Sequence, residues 1–377
     1  MNIPLFRIYW EEDDIKAVER VIQSGKYWCI GSEIQQLERA IEDYLEIGCC
    51  TVFNSGGSAL HALMYAHDLG ASDEIIVPSF TFIATAFAPL WVGAKPVFSD
   101  VEESTFGMDP EGAKESITPR TRAIMPIHYG GMPCRIKALR EIADDHNLLL
   151  FEDAAQSFGA KLGGRPVGTF GESSVFSFCQ NKVFTTSEGG CVVTESKEIN
   201  QKLQLFRSYG RVDSGDYFVS AENLDYIDVG HNFRMSTILA ALGLSQLRRV
   251  NKIIDMRRKN AESLNSRLKR INEIVVPEPP NKEFWPVYQM YTIRVKDGQS
   301  RRQELMSHLE SQGISSRVYF DPIHDYSVFS KLGYESTSLP LTRLLSTQVL
   351  TLPMYPHMTY DELNHIADSV TSFFERI

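Results

Sequence analysis

The sequence predicts an α/β protein, a mostly parallel β-sheet flanked by helices and followed by a smaller C-terminal α/β unit. Three observations predict it. Short apolar runs bounded by turn residues, such as residues 148–151 and 174–178, read as strands buried on both faces. Segments with apolar residues at helical spacing alternate with these runs, the pattern of right-handed crossovers between parallel strands. Carboxylate, lysine and hydroxyl side chains gather just after the runs end, where open parallel sheets bind their ligands.

Taken in order, residues 11–23 carry Ile15, Val18, Val21 and Ile22 at helical spacing, and residues 33–45 do so with Ile34, Leu37, Ile41 and Leu45. Between them, Gly25 and Gly31 bracket a loop. A short strand from Thr51 then runs into Asn54-Ser55-Gly56-Gly57-Ser58 and a helix. Glycines at a helix N-terminus expose N–H groups to an anion, although ordinary capping explains them as well. A strand at Glu74–Pro78 leads to Ser79-Phe-Thr-Phe-Ile-Ala-Thr, read as the start of a helix. Residues 75–94 carry no charge. With two prolines and several hydroxyls they suit a buried strand, a turn and a buried helix better than a membrane span. Strands at Lys95–Ser99 and residues 122–127 follow, then a helix over residues 136–146.

The next segment, NLLLFEDAAQSFGAKLGGRPVGTFGESSVFSFCQNKVFTTSEGGCVVT, organises the chain. Its first strand ends in Glu152 and Asp153, and Gln156 follows. A second strand, residues 174–178, leads to Lys182, and a third, residues 191–194, closes the unit. Asp153 and Lys182 each lie at a strand end, so one crevice holds both. An acid and a lysine together are what a Schiff-base cofactor needs: the lysine takes its aldehyde and the acid keeps its ring nitrogen protonated. Two residues by themselves more often form a surface ion pair.

The remainder reads as a helix over 198–208, the run Asp228-Val-Gly-His-Asn-Phe-Arg-Met-Ser, and a long helix over about 238–270 with room for one break. Strands at Tyr291–Val295 and residues 315–319 flank a helix over 301–312. Residues 350–356 and a helix over 361–374 end the chain. Length suits two domains, and the long helix leads from a large one, residues 1–245, into a smaller one, residues 246–377. There is no internal repeat.

Composition narrows the function. The chain has 377 residues, 43% hydrophobic and 23% charged, ordinary for a globular protein. A net charge of −10 argues against nucleic acid or an anionic membrane as partner. Cys29, Cys49, Cys50, Cys134, Cys179 and Cys191 form no C-x-x-C pair, so no metal site is expected. Free thiols and a start without a signal-peptide pattern suit the cytoplasm.

EDAAQSFGAKLGGRPVG followed by FSFCQNKVFTTSEGG resembles the nucleotide-sugar aminotransferases of the DegT/StrS group, which are fold-type I pyridoxal-phosphate transferases. The likeness covers nearly the whole chain. It implies pyridoxal 5′-phosphate as cofactor, with pyridoxamine 5′-phosphate formed in turnover. Lys182 is then the Schiff-base lysine and the proton carrier, Asp153 the partner of the pyridine N–H, and Gln156 the partner of the ring hydroxyl. Ser177 and the Ser55-Gly56-Gly57 turn hold the phosphate, with Gly57 standing where the family has a threonine. Phe82 matches the aromatic that stacks on the ring, though it also suits a core. Asn232 matches the asparagine that reaches the phosphate of a neighbouring subunit, which implies a homodimer; read alone it is a turn residue or a cap. His324, in VYFDPIHDYS, matches a substrate-side loop more loosely and is otherwise structural.

The resemblance also implies the partners, glutamate as amino donor and a nucleotide-linked keto sugar as acceptor. Related enzymes with histidine in place of the lysine dehydrate sugars, so Lys182 favours transamination. The N-K-x-x-T-T-x-E-G-G loop resembles that of enzymes acting on a 4-keto-6-deoxy sugar. A 3-keto sugar, a cyclitol ketone, or a non-catalytic regulatory role are the rival readings.

Overall fold

The structure, a computed structural model, describes residues 1–212, 225–334 and 337–375. Helices α1 (Glu12–Ser24) and α2 (Ser32–Leu45) open it, α1 ending where Gly25 turns left-handed at φ 64°. Strand β1 (Cys49–Phe53) feeds α3 (Gly56–Ala66), and β2 (Glu74–Pro78) feeds α4 (Ile83–Trp91). Then come β3 (Lys95–Ser99), α5 (Pro110–Glu115), β4 (Thr121–Ile124), α6 (Ile136–Asp145) and β5 (Leu149–Asp153). A two-residue-per-strand hairpin, β6 (Lys161–Leu162) and β7 (Arg165–Pro166), precedes β8 (Ser173–Ser177), β9 (Gly190–Thr194) and α7 (Lys197–Arg207). The expected long helix is two, α8 (Thr237–Leu247) and α9 (Val250–Leu268). The chain closes with β10 (Ile274–Val275), β11 (Phe284–Trp285), β12 (Tyr291–Val295), α10 (Gly298–Ser311), α11 (Ser327–Lys331), α12 (Pro340–Gln348), β13 (Val349–Leu352) and α13 (Tyr360–Glu375).

The main sheet has seven strands in the order β1-β9-β8-β5-β4-β2-β3. Strand β9 runs antiparallel to both neighbours, and the other six share one direction. Their C-terminal ends therefore open on one edge of the sheet. Both faces are covered, as the continuous apolar runs require. Val52, Phe176 and Val193 pack with α2, α8 and α9, whereas Phe53, Val175 and Val192 pack with α3, α4 and α7. Adjacent residues fall on opposite faces because strand side chains alternate.

A second sheet, β10-β12-β13, is antiparallel. It carries its own apolar cluster, in which Tyr291, Ile293 and Leu350 meet Leu264, Leu309 and Ile366. Ile3 joins this cluster from the other end of the chain and bridges Ile314.

Two expected elements differ. Residues 315–319 are not a strand: Ile314 pairs with Ile3 while Arg317 pairs with Thr351, so the segment divides its bonds between two partners and no ladder forms. The helix expected from Ser79 begins only at Ile83. The Ser79 backbone is held instead by Ser99 and Ile323, which keeps residues 79–82 extended and turned across the sheet edge. The short elements β6, β7, β10, β11, α5, α11 and α12 had no periodic signal long enough to read.

Candidate functional site

The site is built where the parallel strands end. Asp153 is the last residue of β5 and Ser177 the last of β8; Ser55 follows β1, and Phe82 follows β2. The Ala154 N–H extends the pairing with β8 by bonding the Val175 carbonyl (2.9 Å), and the Ser157 N–H closes a turn onto the Ala154 carbonyl (2.9 Å) with Gln156 inside it.

Asp153 is buried at 7% exposure. Its Oδ2 accepts a hydrogen bond from Thr85 Oγ1 (2.7 Å), and Oδ1 accepts from the Ala155 N–H (3.2 Å). Thr81 in turn bonds the Thr85 hydroxyl (2.8 Å). Burial pushes the Asp153 pKa up, against the pull of Thr85, Ala155 and the Lys182 charge. Burial pushes the Lys182 amine down, and Asp153 and Cys179 oppose that. The two groups thus sense one another in a poorly solvated crevice. A lysine with a lowered pKa is a better nucleophile at neutral pH. Lys182 sits on a turn closed by its own N–H to the Cys179 carbonyl (2.9 Å). Lys182 also lines a small cavity with Phe6, Tyr9, Asn181, Gln246 and Arg257, which Asp153 does not reach.

The neighbouring acid, Glu152, plays a different part. It is fully buried and points to the other face of β5. It accepts from His128 Nε2 (2.9 Å) and from the N–H groups of Gly168 (2.7 Å), Phe170 (2.6 Å) and Gly171 (2.9 Å), and Ser174 Oγ lies at 3.3 Å. Burial pushes its pKa up, but these donors outweigh burial and hold it below the ordinary value. The Cys134 N–H donates to His128 Nδ1 (3.1 Å), so that nitrogen carries no proton and Nε2 carries one. Glu152 is therefore a tie that fixes the end of β5.

Helix α3 starts at the same edge. Ser55 caps it by accepting from the Ser58 N–H (3.0 Å). Gly56 lies so close to β8 that a Cβ there would stand 3.0 Å from Ser177 Cβ and 3.1 Å from its Oγ. A Cβ on Gly190 would meet the Gly56 backbone at 2.7 Å. Glycine at both positions lets the α3 N-terminus and the Ser177 hydroxyl converge in a cradle, and the N–H groups of a helix N-terminus favour an anion. At Gly57 the nearest atoms to an added Cβ are 3.7 and 3.8 Å away, so nothing crowds that position.

The other expected residues are placed as follows. Gln156 Oε1 accepts from the Gly130 N–H (2.7 Å), which leaves its amide nitrogen as the outward donor. Phe82, the N-cap of α4, is 59% exposed, a large ring face open at the sheet edge. Asn232 is exposed, and the carbonyl of the following Phe233 accepts from Asn54 N–H (2.8 Å), so its strand segment runs beside the α3 cradle. His324 is turned away from solvent. Its Nδ1 bonds Ser79 Oγ (2.5 Å), and its Nε2 accepts from Arg343 (3.2 Å), while burial lowers its pKa. In this arrangement both ring nitrogens are engaged, Nδ1 with Ser79 just after β2 and Nε2 with Arg343 of α12. Sequence reasoning missed Thr85, Gly130 and Gly190. The only trace of Thr85 was a hydroxyl inside an apolar run.

A lysine and a buried carboxylate at one parallel-sheet edge, beside a helix N-terminus and a free aromatic face, define a site shaped for a phosphate-bearing aldehyde cofactor. Comparison with known proteins agrees. The profile of the DegT/DnrJ/EryC1/StrS aminotransferase family matches residues 9–371. The chain is 32% identical over 375 residues to GDP-perosamine synthase of Vibrio cholerae, covering 100% of both. It is 33% identical to dTDP-3-amino-3,4,6-trideoxy-alpha-D-glucose transaminase of Streptomyces venezuelae, covering 96% of this chain and 92% of the relative. Its backbone superimposes on PseC of Helicobacter pylori, an aminotransferase involved in the biosynthesis of pseudoaminic acid, with a TM-score of 0.93, 28% identity and full coverage of both chains. The chain belongs to the DegT/DnrJ/EryC1/StrS aminotransferase family.

Proposed function

We propose that this chain is a pyridoxal-phosphate-dependent sugar aminotransferase that moves an amino group from glutamate to the keto carbon of a nucleotide-linked 4-keto-6-deoxyhexose. The observation that carries the reading is the Lys182–Asp153 pair, both poorly solvated and coupled in charge, on the edge that also holds the α3 cradle. Pyridoxal phosphate, when bound, supplies an electron sink for the bond that breaks at the amino-bearing carbon. Lys182 would hold the aldehyde and, as a neutral amine, serve as the proton carrier at its Nζ. Asp153, kept in place by Thr85, would hold the ring nitrogen. Gln156 would hold the ring hydroxyl through its amide N–H, because Gly130 already occupies its oxygen. The α3 N–H groups and Ser177 would hold the phosphate, and Phe82 would hold the ring.

In this reading residues 1–245 hold the cofactor and 246–377 form the smaller unit. The separate apolar cluster of the second sheet supports that division. The exposed Asn232 supports a homodimer in which each chain completes its neighbour's phosphate site. All six cysteines are free, which supports a reducing compartment, and no described helix is long and apolar enough to cross a membrane. Amination at carbon 3 is the second reading, because a relative named for a 3-amino sugar is as similar as the others.

The test has two parts. Borohydride reduction of the cofactor-loaded protein should fix the cofactor on Lys182, read by peptide mass spectrometry. An adduct on another lysine sinks the cofactor site. Glutamate-dependent turnover should then be mapped by NMR with GDP-, dTDP- and UDP-linked 4-keto and 3-keto sugars. Turnover of a cyclitol ketone alone would overturn the substrate class.

A further inference from the structure

The peptide that carries Lys182 is tethered from outside its own loop. Gln289, on the segment leading into β12, is 6% exposed, and its Nε2 donates to the carbonyl of Asn181, the residue before Lys182. The segment is braced on every side. Val287 N–H bonds the Gly131 carbonyl (3.0 Å), and Met290 N–H bonds the Gly130 carbonyl (3.1 Å). The buried Arg257 guanidinium points one nitrogen at the carbonyls of Tyr288 (3.2 Å), Gln289 (3.4 Å) and Met354 (3.2 Å). Tyr288 itself is left-handed at φ 48°, a costly backbone for a bulky residue, and it persists because these bonds over-determine it. Gly131 has no room for a side chain: a Cβ would meet the Gln289 nitrogen at 2.9 Å and Val287 Cγ2 at 2.7 Å.

The same brace reaches the other side of the site, since Gly130 N–H is the donor that fixes Gln156. One strut, residues 287–290, thus sets both Gln156 and Lys182. From this geometry, and resting on the cofactor reading above, we infer that Gln289 is a positioning residue: it fixes the Asn181–Lys182 peptide, and so the reach and desolvation of the Lys182 amine. Asn181 leaves Gln289 no choice of orientation, because a carbonyl needs the amide N–H and not the amide oxygen. The amide oxygen of Gln289 is buried without a partner, a cost that the tether offsets.

Removing the tether lets the Lys182 turn loosen and admit water. Weaker desolvation then favours the charged form of the lysine nitrogen. The experiment compares the full chain with Gln289→Met, which keeps volume and removes the donor, and Gln289→Glu, which cannot donate at neutral pH. Each is loaded with pyridoxal phosphate. The first reading is the pH midpoint of the visible absorbance band, which needs no substrate. It should move upward by about half a unit or more in both variants. The second is the single-turnover rate at which L-glutamate bleaches the band. It should fall about tenfold while the glutamate concentration at half-maximal rate stays put, since small misplacements of a reacting group are costly in rate. A midpoint equal to the native one in both variants, with only a lower melting temperature, overturns the inference and leaves Gln289 a packing residue. If the native chain shows no visible band, the cofactor reading fails and the inference falls with it. If a band is present but glutamate does not bleach it, only the donor is wrong, and the midpoint comparison still decides.

Discussion

Glu152→Gln isolates the part of the site that is structure rather than chemistry. The carboxylate has two oxygens, and buried donors address both: Phe170, Gly171 and Ser174 face Oε1, and Gly168 and His128 face Oε2. An amide offers one oxygen and one NH2. If its oxygen serves Phe170 and Gly171, its NH2 points at the Gly168 N–H and at His128. The ring is unable to adapt by moving its proton to Nδ1, because the Cys134 N–H already points there. At least two buried donors lose their acceptor in either orientation. At ~1–3 kcal/mol for each unsatisfied group, the variant loses about 3–5 kcal/mol at neutral pH. With an unfolding entropy of ~2 cal/mol/K per residue, that lowers the melting temperature by about 5 °C.

The pH dependence gives a second check on the same variant. The folded Glu152 pKa lies below its reference value of 4.5. A depressed carboxylate contributes stability that is present above the unfolded pKa and is lost as pH falls through the folded pKa. The difference between native and variant should therefore be constant at neutral pH and shrink below about pH 4.5. The assay is urea unfolding at a series of pH values. A loss under ~1 kcal/mol, or one equal at neutral and acid pH, would refute the account of Glu152 as a charged acceptor.

Three further outcomes follow from the same geometry. Thr85→Val removes a donor to Asp153; the Asp153 pKa rises further, the acid limb of the pH–rate profile moves to higher pH, and turnover falls about tenfold, ~1.4 kcal/mol in the barrier. Gly190→Ala drives a methyl into the Gly56 backbone; the cofactor should dissociate at least about tenfold more readily, read by loss of visible absorbance on dilution, and unchanged retention would detach Gly56 from the cradle. Mixing inactive Lys182→Ala chains with inactive Asn232→Ala chains should restore one working site per heterodimer, and confirmed heterodimers without activity would count against a shared site.

Much of the site was legible in the sequence because its signals are local. Asp153 and Ser177 stand at the ends of apolar runs, and a run buried on both faces announces its own strand. Gly56 follows a short strand and opens a helix, so its N–H groups point along a predictable axis. The resemblance to a known family supplied the roles, which periodicity alone does not give. The structure places Asp153, Ser177, Ser55 and Phe82 at strand ends on one edge. Where the sequence misled, the cause was partners remote in the chain: residues 315–319 have strand composition, yet Ile3 and Thr351 divide their hydrogen bonds.

Residue types and local periodicity determined the α/β class and the strand ends, and the family resemblance singled out the lysine–carboxylate pair. The resemblance had already singled out Asp153 of the two adjacent acids; only the tertiary structure showed that Glu152 is a tie. Successive strand residues point to opposite faces, and what lies on each face belongs to distant segments: Thr85 on one side, His128 and the 168–171 turn on the other. It also decided that His324 holds Ser79, that Gly190 is needed for Gly56, and that Gln289 reaches the Asn181 carbonyl. Such contacts link residues separated by up to 245 positions, and no local pattern records them, because hydrogen-bond donors and steric room are fixed only when the segments meet.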